Sequence, residues 1–131
     1  MTQKNPGASA PPTASKEMTV DEDPYRTMVE NAVEGMYRTT PEGDYVMANP
    51  ALARLHGCDT TQQFMKAFGS HNPVYYSPDS RVECTKIVAE QGWVRGFVCK
   101  AKRIDGSTFW MVENARRLSG PEGEFLGYEG S

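Results

Sequence analysis

The sequence predicts an α+β fold: a five-stranded antiparallel sheet with short helices and one longer helix packed on one face, preceded by an N-terminal lead-in helix. Two observations carry this. The run EGMYRTTPEGDYVMAN, from Glu34 to Asn49, is a short strand, a Pro-Glu-Gly-Asp turn, a second strand and an Asn-Pro helix start. Further along, KRIDGSTFWMVENARRL reads as two long strands joined at Asp105-Gly106. Asp-Gly between β-rich runs is a strong hairpin signal.

The elements follow in order. Asp23-Pro24 is a cap followed by proline at the first helical position. Tyr25, Met28, Val29, Ala32 and Val33 then recur at helical spacing, and Gly35 ends the helix. Met36 to Thr39 is a strand, residues 40–44 a turn built on Pro41 and Gly43, and Tyr45 to Ala48 the second strand. Asn49-Pro50 repeats the cap-and-proline device. Ala51, Leu52 and Leu55 make a short helix closed by Gly57, and Thr60 or Thr61 caps another through Phe64, Met65 and Phe68. Gly69 to Pro78 is the least regular stretch and the candidate mobile element. The longest helix, Arg81 to Gln91, is started by Ser77 or Asp79 and stopped by Gly92; Cys84, Ile87 and Val88 form its apolar stripe. Strands follow at Val94–Ile104, Thr108–Leu118 and, after a turn at residues 120–123, Phe125–Glu129. Strands joined by hairpins and one helical excursion make an antiparallel sheet with helices on one face.

Length and composition bound the function. A chain of 131 residues suits one domain. Residues 1–22 hold only Met1, Met18 and Val20 as sizeable apolar side chains, and NPGASAPPTAS cannot bury enough surface to offset its ordering entropy. They are expected to be a disordered leader, with residues 23–131 as the folded domain. The leader lacks the apolar core of a signal peptide, and no run nears the roughly 20 apolar residues of a membrane span. A net charge of −3 argues against a nucleic-acid partner. Cys58, Cys84 and Cys99 are odd in number and widely spaced, with no metal-ligand spacing, as expected of packed thiols in a cytoplasmic protein. No nucleophile–base pair or phosphate loop is visible; Asp79 with Glu83, and Glu122 with Glu124, are explained by helix-start and turn chemistry. The chain does not read as an enzyme.

Alternation sorts the long strands into faces. Phe97, Cys99 and Ala101, continued by Arg95 and Arg103, share one face; Val94, Gly96, Val98, Lys100, Lys102 and Ile104 share the other. In the next strand Phe109, Met111, Glu113 and Ala115 oppose Trp110, Val112, Asn114 and Arg116. Both faces are partly apolar.

Four segments, VENAVEGMYRTTPEGDYVMAN, NPALARLHG, RIDGSTFWMVENARRL and EFLGYEGS, together resemble the PAS sensor family in order and spacing, over Asp23 to Ser131. Two departures stand out. Members usually continue past the last segment with an Asp-Ile-Thr-Glu ending, and usually place an aromatic where Cys58 stands, which implies a less anchored loop here.

The resemblance implies that Phe97, Cys99, Met111 and Glu113 look inward and line a cavity with Tyr37, Val46, Leu52, Leu55, Phe64, Ile87 and Val88. Glu113 would then be a carboxylate in apolar surroundings, costly unless partnered. Tyr37, Tyr75, Tyr76, His56 or His71 could partner it, as could a ligand amine or hydroxyl; alternatively Glu113 lies near the sheet edge in water or a register change turns it out. Haem-binding members use a histidine on the long helix, which has none here. Flavin-binding relatives carry a cysteine before that helix, where GSHNPVYYSPDS has none, and an amide where Met111 stands. The resemblance therefore implies neither haem nor flavin, leaving an unidentified small molecule.

Two function classes remain. One is a cytoplasmic bacterial signalling module that binds a small apolar or amphipathic ligand and drives an output domain, in a two-component or cyclic-nucleotide system. The other is a ligand-free interaction module, a homodimer formed through Tyr25, Met28, Val29, Val98, Trp110 and Val112.

Overall fold

The computed structural model describes residues 24–131. The expected leader and the Asp23 cap lie outside the described residues. The chain divides into two units at Glu30 and Asn31. In the first lies most of helix α1, Pro24–Asn31, which ends well before Gly35. The second, Asn31–Ser131, carries the sheet and the remaining helices. Among the described residues no helix is long and apolar enough to cross a membrane.

The second unit begins with the hairpin β1 (Tyr37–Thr39) and β2 (Tyr45–Ala48). Helices α2 (Pro50–Leu55), α3 (Thr61–Ala67) and α4 (Pro78–Gln91) follow, then β3 (Trp93–Lys102), β4 (Thr108–Ser119) and β5 (Phe125–Gly130). The five strands form one antiparallel sheet in the order β2-β1-β5-β4-β3. This is the predicted fold class, with its helical excursion between the second and third strands. The last strand inserts at the centre, between β1 and β4.

Capping explains where the helices start. Asn49 Oδ1 accepts the backbone N–H of Leu52 at 3.0 Å and that of Met36 at 2.9 Å, while Nδ2 donates to the Glu34 carbonyl at 2.9 Å. One buried side chain thus caps α2 and ties it to the approach to β1. Thr60 and Ser77 cap α3 and α4, and Gly92, with φ at 90°, closes α4 in the left-handed conformation.

The core lies between the helices and the inner sheet face. Tyr37, Leu52, Ala53, Cys58, Phe64, Phe68 and Val74 form one cluster; Cys84, Val88, Val94 and Ala115 form another. Cys58 is buried and its N–H bonds to the Ala53 carbonyl at 2.8 Å. The loop expected to be loose there is held by a packed thiol in place of an aromatic ring.

Strict alternation fails at three places among the described residues, two of which bear on the expected lining. In β3, Val94 pairs with Ala115 and Phe97 with Glu113, so three steps on one strand match two on the other. Gly96 accommodates the extra residue with φ at 66°, and its N–H bonds to Asn114 Oδ1 at 2.9 Å. Val94 therefore turns into the core and Arg95 out of it, the reverse of the expected parity. In β2, Met47 pairs with Arg38 and Tyr45 with Thr39, which leaves Val46 as the extra residue. Tyr45 faces the core, packing edge-on against Phe64, while Val46 is 58% exposed.

Replacing Asn49 with alanine removes the cap and the tie to Glu34 together. We expect a loss of about 2 kcal/mol in urea unfolding followed by circular dichroism; a loss below about 0.5 kcal/mol would show that the cap is dispensable.

Candidate functional site

Glu113, in mid-β4, is the one acidic side chain of the buried set, 6% exposed. Its Oε2 accepts the Tyr37 hydroxyl from β1 in a short hydrogen bond. Its Oε1 accepts the Tyr75 hydroxyl at 2.6 Å and lies 3.9 Å from the Cys84 thiol of α4. Four elements thus meet at one carboxylate. Of the other expected partners, Tyr76 and His71 are exposed. His56 is buried but donates from Nδ1 to the Lys102 carbonyl at 2.7 Å, and its ring packs among Phe64, Phe68 and Phe109. It is a satisfied core histidine, held below its usual pKa mainly by burial.

Tyr75 reaches Glu113 because the irregular stretch is tied down. The Tyr76 N–H bonds to the Lys100 carbonyl at 2.9 Å, and the Lys102 N–H bonds to the Val74 carbonyl at 2.8 Å. Residues 74–76 therefore lie along the outer edge of β3, where Tyr75 bridges to Ala101. Lys102 Nζ to Asn72 Oδ1 at 2.8 Å and the Ser70 N–H to Asp44 Oδ1 at 2.8 Å pin the rest. Residues 70–76, within the segment expected to be mobile, form a buttress against β3 and the turn after β1.

Two cavities adjoin the carboxylate. The smaller, about 40 Å³, includes Tyr37, Thr39, Tyr45, Tyr75, Arg81, Cys84 and Glu113 in its wall. The larger, about 110 Å³, is lined by Tyr37, Tyr45, Leu52, Leu55, Val74, Met111 and Glu113, with Glu34 also in its wall. Thr39 adds a buried hydroxyl oxygen without a hydrogen-bond partner.

Of the residues expected to line one cavity, Tyr37, Leu52, Leu55, Val88, Met111 and Glu113 do border this space, Leu55 from a position 43% exposed. Val46 does not, because the β2 bulge substitutes Tyr45. Phe64 is consumed by the aromatic core, Ile87 and Phe97 pack against the second cluster, and Cys99 is buried outside both walls. Val98, Trp110 and Val112 stand on the opposite face, 61%, 70% and 59% exposed. In α1, Tyr25 and Met28 are exposed and Val29 half-buried.

The expected cavity lining omitted Thr39 and Tyr45. Thr39 sits two residues from Tyr37, so the period of the strand marked it. Tyr45 needed the bulge, which leaves no mark in its own residues.

Burial, and then the negative charge of Glu113, push the Tyr37 and Tyr75 hydroxyls well above their ordinary pKa. The same two causes push Cys84 up to about 12 and Cys99 up to about 11, so both thiols are protonated at neutral pH. They are not thiolate nucleophiles.

A five-stranded sheet with helices crossing one face over a small enclosed space defines a PAS-like α+β module. The family model described as PAS domain matches residues 25–88. Among solved structures, a PAS domain from Colwellia psychrerythraea superposes with a TM-score of 0.68 at 19% identity, covering 81% of this chain and 89% of that one. A domain of a sensory box sensor histidine kinase/response regulator from Geobacter sulfurreducens matches at 0.57 and 24% identity, covering 80% and 89%. The PAS domain of a LuxR-family transcriptional regulator from Burkholderia thailandensis, in complex with ethanol, matches at 0.61 and 19%, covering 81% and 93%. No curated protein matches.

The raised tyrosine and cysteine pKa values fix the sign of an alkaline transition. These groups are neutral in the folded state, so their contribution is complete below the ordinary values of 9.0 and 10.0 and is lost as pH rises through the higher folded ones. The melting temperature should fall steadily above about pH 9, and less steeply in Tyr75→Phe. A flat profile to pH 11 would refute the neutral buried cluster. At neutral pH, Tyr75→Phe should cost about 1–3 kcal/mol, since it removes one of the two hydroxyl donors to a buried carboxylate.

Proposed function

We propose that this domain is the sensory module of a cytoplasmic signalling protein, admitting a small amphipathic molecule to the space around Glu113 and passing the change to an output domain. The observation that carries this is a buried carboxylate, met only by hydroxyl and thiol groups, at the junction of two small cavities, the larger of them mainly apolar. A purely structural core would be stable with an apolar residue at that position and would avoid the desolvation cost. Retaining the charge where there is space beside it suits recognition. The match to the PAS family model supports a sensing role, and the ethanol complex of the Burkholderia structure is a precedent for a ligand of this size. Both cavities fall far below the roughly 300 Å³ at which ordinary cofactor pockets begin, which supports a reading without haem or flavin.

A second reading is favoured by one specific feature. Val98, Trp110 and Val112 leave an apolar patch on the outer sheet face, and exposed patches of that kind mark interaction surfaces. That face would form a homodimer contact.

Native mass spectrometry of the full chain purified from cells tests the first reading. We expect a retained small molecule, lost in Glu113→Gln. An adduct-free protein whose melting temperature is unmoved by short alcohols, amines or acids would overturn it. For the second, sedimentation should find a dimer dispersed by Val112→Glu; a monomer at millimolar concentration would sink it.

A further inference from the structure

Resting on the small-ligand reading above, we infer that the occupant is a short alkylammonium, its charged head against Glu113 and its alkyl tail in the larger cavity. A carboxylate offers about four lone-pair sites. Tyr37 and Tyr75 each fill one, and the Cys84 thiol, at 3.9 Å, is at most a weak third. None of these donors is charged. The ion pairs among the described residues join Arg26 to Glu30 and both Arg38 and Arg116 to Glu129; none reaches Glu113. A desolvated carboxylate with hydrogen bonds but no counter-charge lacks the strongest partner available to it.

Arg81 puts one positive charge in the wall of the smaller cavity, its guanidinium donating to the Glu42 carbonyl at 2.8 Å; the remaining walls suit a cation. Thr39 Oγ1, buried and without a partner, borders the smaller cavity together with Glu113. An ammonium group has donors to spare for that oxygen as well as the carboxylate and accepts nothing. Tyr37 and Tyr45 belong to the walls of both cavities, and aromatic rings attract organic cations. Leu52, Leu55 and Met111 supply the apolar lining for a tail, and about 110 Å³ limits that tail to a few carbons. A neutral alcohol would satisfy the same hydrogen bonds but leave the charge uncompensated, and an anion would be repelled.

Titration calorimetry of the full chain with n-butylammonium chloride, 1-butanol and sodium butyrate, at neutral pH and matched ionic strength, tests this. Butylammonium should bind about tenfold more tightly than 1-butanol, with butyrate silent. Glu113→Gln should erase the advantage of the amine while leaving 1-butanol within about twofold. Should that variant fail to fold, the wild-type ranking decides alone. Equal or tighter binding of 1-butanol, or any preference for butyrate, overturns the cationic assignment and leaves the small-ligand reading standing. Silence from all three compounds overturns both.

Discussion

The domain is organised around the need to satisfy one buried carboxylate. Glu113 is excluded from water in mid-sheet, so hydroxyl donors must be brought to it from elsewhere in the chain. Tyr37 comes from β1, on the far side of β5 from β4; Tyr75 comes from a segment laid along the free edge of β3; Cys84 comes from α4. Removing the carboxylate would relax three otherwise independent placements. Removing one donor would leave charge underpaired in a medium that punishes it. The pocket and the packing are therefore one problem, and the two cavities are what remains once the tyrosines have reached their acceptor.

The helical excursion and the hairpins were legible because their signals are local. Asn49-Pro50, Thr60, Ser77 and Gly92 each act within a turn of where they stand, and Asp105-Gly106 needs only its flanking strands. The inward face of β4 was legible for the same reason: its alternation runs unbroken from Met111 to Ala115. Val94 and Val46 were misplaced because a bulge depends on the partner strand. Gly96 is one of several glycines in the sequence, and what marks it is the amide of Asn114, many residues away. The buttress at residues 74–76 was hidden similarly, since its backbone bonds run to β3 and its side chains read only as a loop. Cavity size was beyond reach, because it depends on how Phe64, Phe97 and Ile87 happen to fill space.

The two faces of the sheet handle charge in opposite ways. On the inner face a single anion is desolvated and ringed by hydroxyls. On the outer face Glu129 is gripped by Arg38 and Arg116 in solvent-facing pairs, and Lys100 lies over the rings of both Tyr76 and Trp110. Pairs of that exposed kind contribute little to stability, about 0–1 kcal/mol each. Their effect is to keep an otherwise apolar patch wetted and to set the charge pattern any partner there would meet.

Gly130 packs against the Tyr37 hydroxyl so closely that a Cβ built on it would fall 2.6 Å from that oxygen. The clearance between the last strand and the site is thus narrower than a methyl group. Tyr37 is confined between the carboxylate it serves and the backbone of β5, with no slack on either side. Such a fitting behaves as a gauge: an occupant that leaves Tyr37 in place is mechanically silent at β5, whereas one that displaces it even slightly must either break the bond to Glu113 or shift that strand. Were the proposed ligand held at Glu113, what the rest of the protein felt would depend on whether it leaned on that single phenol.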